Sequence, residues 1–158
     1  MKKGTRIQSK KMTMRKTRKN RKLSSNSTTH KKHVITKILQ MLMTVKLYHW
    51  NTMTYSVHKA TDELYGELNT LMDQFVEVLL GKRDNVSEKN KHKILNINTL
   101  HVKNYNDNGQ FKKCVEEFKS YLIGLNAMFS RSGNSDLMNI RDEILAVLNK
   151  VSYLLTFN

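Results

Sequence analysis

The sequence predicts an all-α protein: a bundle of four antiparallel helices with a long connection between the second and third, preceded by a disordered basic tail. Three observations lead to this prediction. The 158-residue chain has no proline and only six glycines, so little in it interrupts long helices. Apolar residues recur every three or four positions in four separate segments, as on helices with one buried face. The first 32 residues carry 13 Lys or Arg and no acidic residue, a composition unsuited to a core.

The first predicted helix runs from about residue 33 to Asn51 and carries two apolar stripes. The stripe assigned to the core leads to His49 and consists of Ile35, Ile38, Leu42 and Val45. The other stripe repeats at intervals of seven, and we expect it to offer a second surface to another subunit; it consists of Val34, Met41 and Tyr48.

The second predicted helix begins near Ser56 and ends at Gly81, a suitable C-terminal cap. Its core stripe consists of Val57, Ala60, Leu64, Leu68, Leu71, Phe75 and Leu79. Residues 82–108 are polar and Asn-rich, which predicts a long crossover. The third helix follows with a stripe from Phe111 to Phe129. The fourth is capped by Ser135 or Asp136 and carries an apolar stripe from Leu137 to Leu155.

The chain is long enough for one domain and too short for two comfortable ones. We therefore divide it into a disordered tail over residues 1–32 and a single bundle over residues 33–158. The single cysteine, Cys114, lies on an apolar stripe, which favours buried packing over catalysis. No apolar run approaches the roughly 18 residues that cross a bilayer, and no secretory signal is evident. The expectation is a soluble protein that is not secreted.

Potential metal ligands cluster in and near the second helix. His58 and Asp62 are four residues apart, as are Asp73 and Glu77, and all four share one face because each helical residue advances about 100°. His49 ends the core stripe of the first helix. Fifteen residues, roughly 22 Å of helix, separate His58 from Asp73. One copy of the helix therefore cannot bring both pairs to one metal ion.

An antiparallel second copy of the helix removes this separation. A two-fold axis near Gly66 and Asn69 would set the two acids of one subunit opposite the His and Asp of the other, and would create two equivalent sites per dimer. The chain contains no Glu-x-x-His motif, which builds a di-iron centre inside one bundle, so any metal site is expected between subunits. The alternative is that each pair is a solvated helix face and that His49 is a hydrogen-bonded core residue.

The segment from His49 to Glu77 resembles the ferroxidase stretch of the Dps mini-ferritins, the DNA-binding proteins of starved cells. The resemblance rests on His49-Trp50-Asn51 followed by His58, Asp62, Asp73 and Glu77. It implies a ferritin-like four-helix bundle with a short extra helix in its crossover. It also implies ferrous iron as the metal, bound at the dimer interface by two nitrogen and three oxygen ligands and oxidised preferentially by peroxide, and a hollow shell of twelve subunits.

The chain departs from the family pattern in two places. The connection from His49 to His58 is about three residues shorter and lacks the usual glycine, and the Arg that follows the family's glutamate is Val78 here. The Lys- and Asn-rich composition also resembles that of Dps-like proteins of large DNA viruses.

The basic tail is predicted to bind nucleic-acid phosphates without reading base sequence. Residues 33–158 contain 15 basic and 13 acidic residues, so the tail holds nearly all of the formal charge of +15. Other interpretations are a solubilising tail, a nuclear-localisation signal in RKTRKNRK, or an anionic-membrane patch, although no apolar face supports the last. The candidate nucleic-acid ligands are Lys2, Lys3, Arg6, Lys10, Lys11, Arg15, Lys16, Arg18, Lys19, Arg21 and Lys22.

Two classes of function remain open. The first is a Dps-like mini-ferritin, a ferroxidase that binds DNA through its tail. The second is a non-enzymatic protein on the same scaffold that condenses nucleic acid or forms part of a virion. In both, the expected partners are DNA and further copies of the chain, at least a dimer and, by the resemblance, a dodecamer, with no membrane. The expected location is the cytoplasm, a nucleoid or nucleus, or a virion.

Overall fold

The regular structure is helical throughout the part of the chain that the computed structural model describes, residues 5–82, 88–129 and 132–157. Five helices follow one another: α1 (Thr5–Asn51), α2 (Tyr55–Gly81), α3 (Glu88–Leu95), α4 (Asn108–Met128) and α5 (Ser135–Leu154). A 3₁₀ turn, Leu155–Phe157, ends the described chain. These ranges contain no strand, and the prediction of an all-α helical bundle is confirmed.

Helix α1 begins much earlier than predicted, at Thr5 instead of near residue 33. Lys, Arg, Met and Gln are good helix formers and no proline interrupts them, so this segment can extend the helix of the bundle. Residues 1–4 and the side chains of residues 5–27 lie outside the described residues, and with them all eleven candidate nucleic-acid ligands. The predicted disorder of the free tail therefore stays a prediction.

Side-chain contacts fix the directions of α2 and α5. The Lys82 ammonium, just after α2, lies 2.6 Å from a carboxylate oxygen of Asp136 at the start of α5. Glu67, in the first half of α2, pairs with Lys150 near the end of α5. Because an early position on one helix meets a late position on the other, α2 and α5 are antiparallel.

Helices α1 and α4 are antiparallel by the same reasoning. Tyr48 near the end of α1 stacks on Phe111 at the start of α4, with ring centroids 3.9 Å apart, and His33 meets Tyr121 edge to face at 6.0 Å. The tight turn between α1 and α2 makes those two helices antiparallel as well. Consequently α2 and α4 point the same way, and the connection over residues 82–107 must cross from one end of the bundle to the other. Its short helix α3 packs against α1.

Both apolar stripes of α1 are buried in the core of the bundle. Val34 and Met41 are fully buried within the chain, and Tyr48 is nearly so. The prediction that this stripe offers a surface to another subunit was therefore wrong. Helix α1 packs against α2, α3 and α4 in the same chain, so it needs an apolar face wider than one stripe.

The helix ends and Cys114 agree closely with expectation. Helices α1 and α2 end at Asn51 and Gly81 as predicted, and Cys114 is buried, but the C-cap of α2 is Lys82 and not Gly81. Helix α4 is capped by Asp107, whose carboxylate accepts a hydrogen bond from the Gln110 amide at 2.8 Å. Helix α5 is preceded by Asn134, one residue before the expected cap. No helix among the described residues is both long and apolar enough to cross a bilayer.

Candidate metal centre

The turn between α1 and α2 brings His49 and His58 side by side. Only residues 52–54 separate the two helices. The imidazole rings stack with centroids 4.0 Å apart and planes inclined by 28°. Each ring also faces the backbone of the other residue: His49 Nδ1 lies 3.1 Å from the His58 carbonyl oxygen, and His58 Nδ1 lies 3.0 Å from the His49 carbonyl oxygen. The shortened connection thus holds the two rings together.

These reciprocal hydrogen bonds decide which nitrogen of each ring is available. A carbonyl oxygen only accepts, so each Nδ1 must carry a hydrogen and donate it. In the neutral imidazole, the lone pair then lies on Nε2. Metal-binding histidines are commonly oriented in this way, with the other ring N–H donated to a backbone carbonyl or a carboxylate. His49 and His58 therefore each present a nitrogen suited to a metal ion.

The hydroxyl of Thr61 supports the ring of His49 from α2. Thr61 is fully buried, and its hydroxyl donates to the Val57 carbonyl at 2.8 Å. The same oxygen lies 3.4 Å from His49 Nδ1 and can accept from it weakly. Sequence reasoning missed Thr61, although its place four residues after Val57 marks it as part of the core stripe.

Asp62 adds a carboxylate to the two imidazoles. Its Oδ1 lies 3.6 Å from Nε2 of His49. The His49 side chain is only 8% exposed, whereas that of Asp62 is 56% exposed, so the group lies at the boundary between core and surface. We call His49, His58 and Asp62 the half-site, because they provide two nitrogen donors and one oxygen donor.

The other two predicted ligands do not join the half-site in the same chain. Asp73 and Glu77 are exposed on α2, fifteen or more residues beyond His58, which is roughly 22 Å or more along the helix. Neither carboxylate forms an ion pair with another described residue. Within the described part of one chain, no three His, Cys, Asp or Glu side chains come together closely enough to hold a metal ion, and this includes the three residues of the half-site.

Exposed apolar side chains lie in and beside the turn between α1 and α2. Trp50 is 66% exposed and Tyr55 is 77% exposed on either side of the turn, and Met53 within it is 99% exposed. The Lys46 ammonium lies 4.4 Å from the ring centroid of Tyr65 and 5.4 Å from that of Trp50, as in a cation–π contact. The sequence singled out neither Met53 nor Lys46, since neither falls on a periodic stripe that leads to the ligands.

An open groove lies along α2 between Asp62 and Asp73. It encloses about 460 Å³ and is lined by Gly66, Glu67, Thr70, Leu71 and Val147. A Cβ atom added at Gly66 would meet no heavy atom within 4 Å. This is the face through which the two-fold axis of the predicted dimer would pass.

Residues 49–155 match the sequence model of DUF5856, which is described as a family of unknown function. The chain belongs to this family. The DUF5856 region begins at His49 and therefore includes all five predicted metal ligands, but not the basic tail.

The DUF5856 chain is also similar to the DNA protection during starvation protein of Helicobacter pylori (strain J99). The two are 26% identical over 132 residues, which cover 78% of this chain and 92% of that protein. No solved structure matches the chain significantly.

Proposed function

We propose that this DUF5856 protein is a Dps-like mini-ferritin that binds and oxidises ferrous iron between subunits and binds DNA through its basic tail. The observation that carries the iron proposal is the half-site. Two imidazoles are fixed by hydrogen bonds from their Nδ1 atoms, and a carboxylate oxygen lies 3.6 Å from Nε2 of His49. Mixed imidazole and carboxylate donors suit ferrous iron.

The second half of each site is proposed to come from another copy of the chain. Asp73 and Glu77 of an antiparallel partner would supply the remaining oxygen donors opposite His58 and Asp62. The exposed Trp50, Met53 and Tyr55 and the groove at Gly66 support this arrangement, since a partner would cover them. The five ligands would carry three negative charges, which offset the positive charge gained when iron becomes ferric.

The proposed reaction transfers two electrons from iron to peroxide. Two ferrous ions, the substrate, each lose one electron. The oxygen–oxygen bond of hydrogen peroxide breaks, and the two oxygen atoms take up these electrons and two protons to give two water molecules. The chain's own residues hold the iron pair and exclude competing ligands, with His49 buried on one side and the partner's surface on the other.

The fold supports the same proposal. The four long helices α1, α2, α4 and α5, with a connection containing α3 between α2 and α4, are what a ferritin-like bundle requires. The relative named for DNA protection spans most of this chain, which favours DNA as the polyanion that the tail neutralises.

Ferrous oxidation by peroxide tests the iron proposal. The double variant Asp73→Ala/Glu77→Ala should lower the initial rate to that of free iron, while its DNA affinity stays unchanged. The matched control is Glu88→Ala/Glu143→Ala, which removes two exposed carboxylates outside α2 and should oxidise iron like the unaltered protein. Equal rates in all three proteins would contradict the iron proposal.

Deletion of residues 1–32 separates the iron proposal from the nucleic-acid proposal. The truncated protein should keep its ferrous oxidation rate and lose most of its DNA binding. A non-enzymatic DNA-condensing or virion protein, the second candidate, is favoured by the same concentration of charge in the tail. That candidate is supported if the full chain binds DNA but the purified protein never oxidises iron faster than buffer.

A further inference from the structure

A cavity separate from the groove at Gly66 lies between α1, the end of the crossover and the middle of α4. It encloses about 270 Å³, near the lower limit for small-molecule pockets. The lining side chains that can bear charge or form hydrogen bonds to a ligand are Lys37, Gln40, Thr44, His101, Lys103 and Glu117. None of them belongs to the half-site or to the basic tail.

The polar lining of the cavity comes from α1, the crossover and α4. Lys37, Gln40 and Thr44 follow one another at intervals of three and four, so they share one face of α1. His101, Val102 and Lys103 are consecutive in a non-helical stretch of the crossover, and all three line the cavity. Thr44 is almost completely buried, which is unusual for a polar residue, and it lines the cavity.

Positive charge exceeds negative charge in the cavity. Lys37 and Lys103 contribute two ammonium groups, and the single carboxylate, on Glu117, already lies 3.3 Å from the Lys103 ammonium. Both lysines line the cavity together with Cys114. Burial raises the pKa of Cys114, which keeps the thiol neutral and removes it as a competing anion.

We infer that this cavity binds a small phosphate anion, either inorganic phosphate or the phosphate group of a small monoester. Lysine ammonium groups bind phosphate oxygens through charge-assisted hydrogen bonds, and amide and hydroxyl groups add neutral donors. The apolar side chains of Val102 and Phe118 complete the lining and limit hydration of the bound ion. This inference does not depend on the proposed iron chemistry.

Histidine ring signals in a two-dimensional NMR spectrum of the full chain provide a test specific to this cavity. The probe is inorganic phosphate, added at constant ionic strength and pH. The ring signals of His101 should shift and saturate, whereas those of His92, which is exposed in α3, should not. If the two histidines shift together in proportion to phosphate without saturation, the ion is only attracted diffusely and the inference is overturned.

Three substitutions sharpen the test. Lys103→Met removes a donor whose side chain is 65% exposed, so the variant should fold, and phosphate should bind about tenfold more weakly. Glu117→Gln frees Lys103 and should tighten binding severalfold. Lys91→Met, which removes an equal charge from exposed α3, should leave the midpoint unchanged. An identical midpoint in the Lys103 and Lys91 variants would overturn the inference.

A final arm distinguishes free phosphate from the phosphodiesters of nucleic acid. A short oligothymidylate without terminal phosphates replaces inorganic phosphate in the same titration. The His101 signals should then stay where they are. A saturable His101 shift with the oligonucleotide, but none with inorganic phosphate, would assign the cavity to nucleic-acid backbone and reject the inference.

Discussion

At the scale of single residues, the half-site depends on which nitrogen of each imidazole carries its proton. The two Nδ1 atoms are committed to carbonyl oxygens at 3.1 and 3.0 Å, so both rings are oriented by the turn itself. Loss of one ring therefore removes a donor and also the stacking partner of the other ring. The loss of metal affinity should therefore be larger than on removal of an isolated surface histidine.

Cobalt binding offers a direct measure of this dependence, because Co²⁺ takes similar ligands and absorbs visible light. His58→Ala should weaken Co²⁺ binding at least about tenfold. Loss of only the hydrogen-bond partner that orients a metal-binding histidine already lowers metal affinity by about 10–100-fold. His92→Ala, an exposed histidine of the crossover, is the control and should bind Co²⁺ like the unaltered chain. Equal Co²⁺ affinities in the two variants would show that His58 is not a metal ligand.

Arg141 is a charged residue outside the site whose loss should lower the stability of the bundle. Its side chain is nearly buried, and its guanidinium donates to the Leu122 carbonyl at 3.1 Å and to Asn126 Oδ1 at 3.0 Å. Arg141→Ala should lower the free energy of unfolding by about 2–4 kcal/mol, because it removes these contacts between α4 and α5 and leaves a cavity. Urea denaturation measures the change; a loss below about 0.5 kcal/mol, typical of surface substitutions, would contradict this role.

At the scale of helices, the contact between Lys82 and Asp136 ties the end of α2 to the start of α5. The hydrogen bond from the Lys82 ammonium holds the pKa of Asp136 below its usual value of 3.8, and the Leu137 amide lowers it further. Because the folded-state pKa is depressed, this contact stabilises the fold above pH 3.8. The stabilisation disappears as the pH falls through the depressed value.

Asp136→Asn should therefore lower the free energy of unfolding by up to about 1 kcal/mol at pH 7, a small effect because the pair is solvent-exposed. The difference between variant and unaltered protein should shrink below pH 3.8. Thermal unfolding across this range provides the measurement. A difference that grows on acidification would contradict the assigned sign.

The basic segment is the element whose charge should govern DNA affinity. If it engages about six phosphates, the logarithm of the association constant should fall by roughly 5 for each tenfold rise in salt. The chain without residues 1–32 should show a much smaller slope, since the rest carries only 15 basic against 13 acidic residues. An unchanged slope after deletion would locate DNA binding in the bundle instead.

The C-terminal ends of α1 and α2 were easier to predict from the sequence than the helices against which each helix packs. The end of α1 at Asn51 and the end of α2 at Gly81 follow from local signals, because apolar periodicity stops there, although the C-cap of α2 is Lys82 and not the expected Gly81. Periodicity says that Val34, Met41 and Tyr48 are apolar but not which helix covers them, and the neighbour proved to be in the same chain.

The same limit applies to the candidate site. Spacing placed His58 and Asp62 on one face of α2, but the reciprocal hydrogen bonds between His49 and His58 depend on the path of a three-residue turn. No periodicity encodes that path. The contact of Thr61 with His49 could not be predicted for a related reason. A threonine on an apolar stripe is interpreted as a core residue unless the position of the His49 ring is known.

At the scale of the whole molecule, a complete metal site requires two chains. One chain supplies His49, His58 and Asp62 but leaves Asp73 and Glu77 a long way along the same helix. An antiparallel pair related by a two-fold axis would generate two complete sites, each with both kinds of donor. The oligomer is therefore part of the chemistry and not only a means of increasing the number of DNA-binding tails.

Oxidation of ferrous iron by mixed subunits tests this requirement most directly. One variant lacks the nitrogen donors, His49→Ala/His58→Ala, and the other lacks the distal acids, Asp73→Ala/Glu77→Ala; each alone should be inactive. Unfolded together in equal amounts and refolded, they should regain about a quarter of the unaltered activity, because half the dimers are mixed and each mixed dimer has one intact site. Activity that stays at the level of the separate variants after mixed dimers have formed would contradict a site shared between subunits.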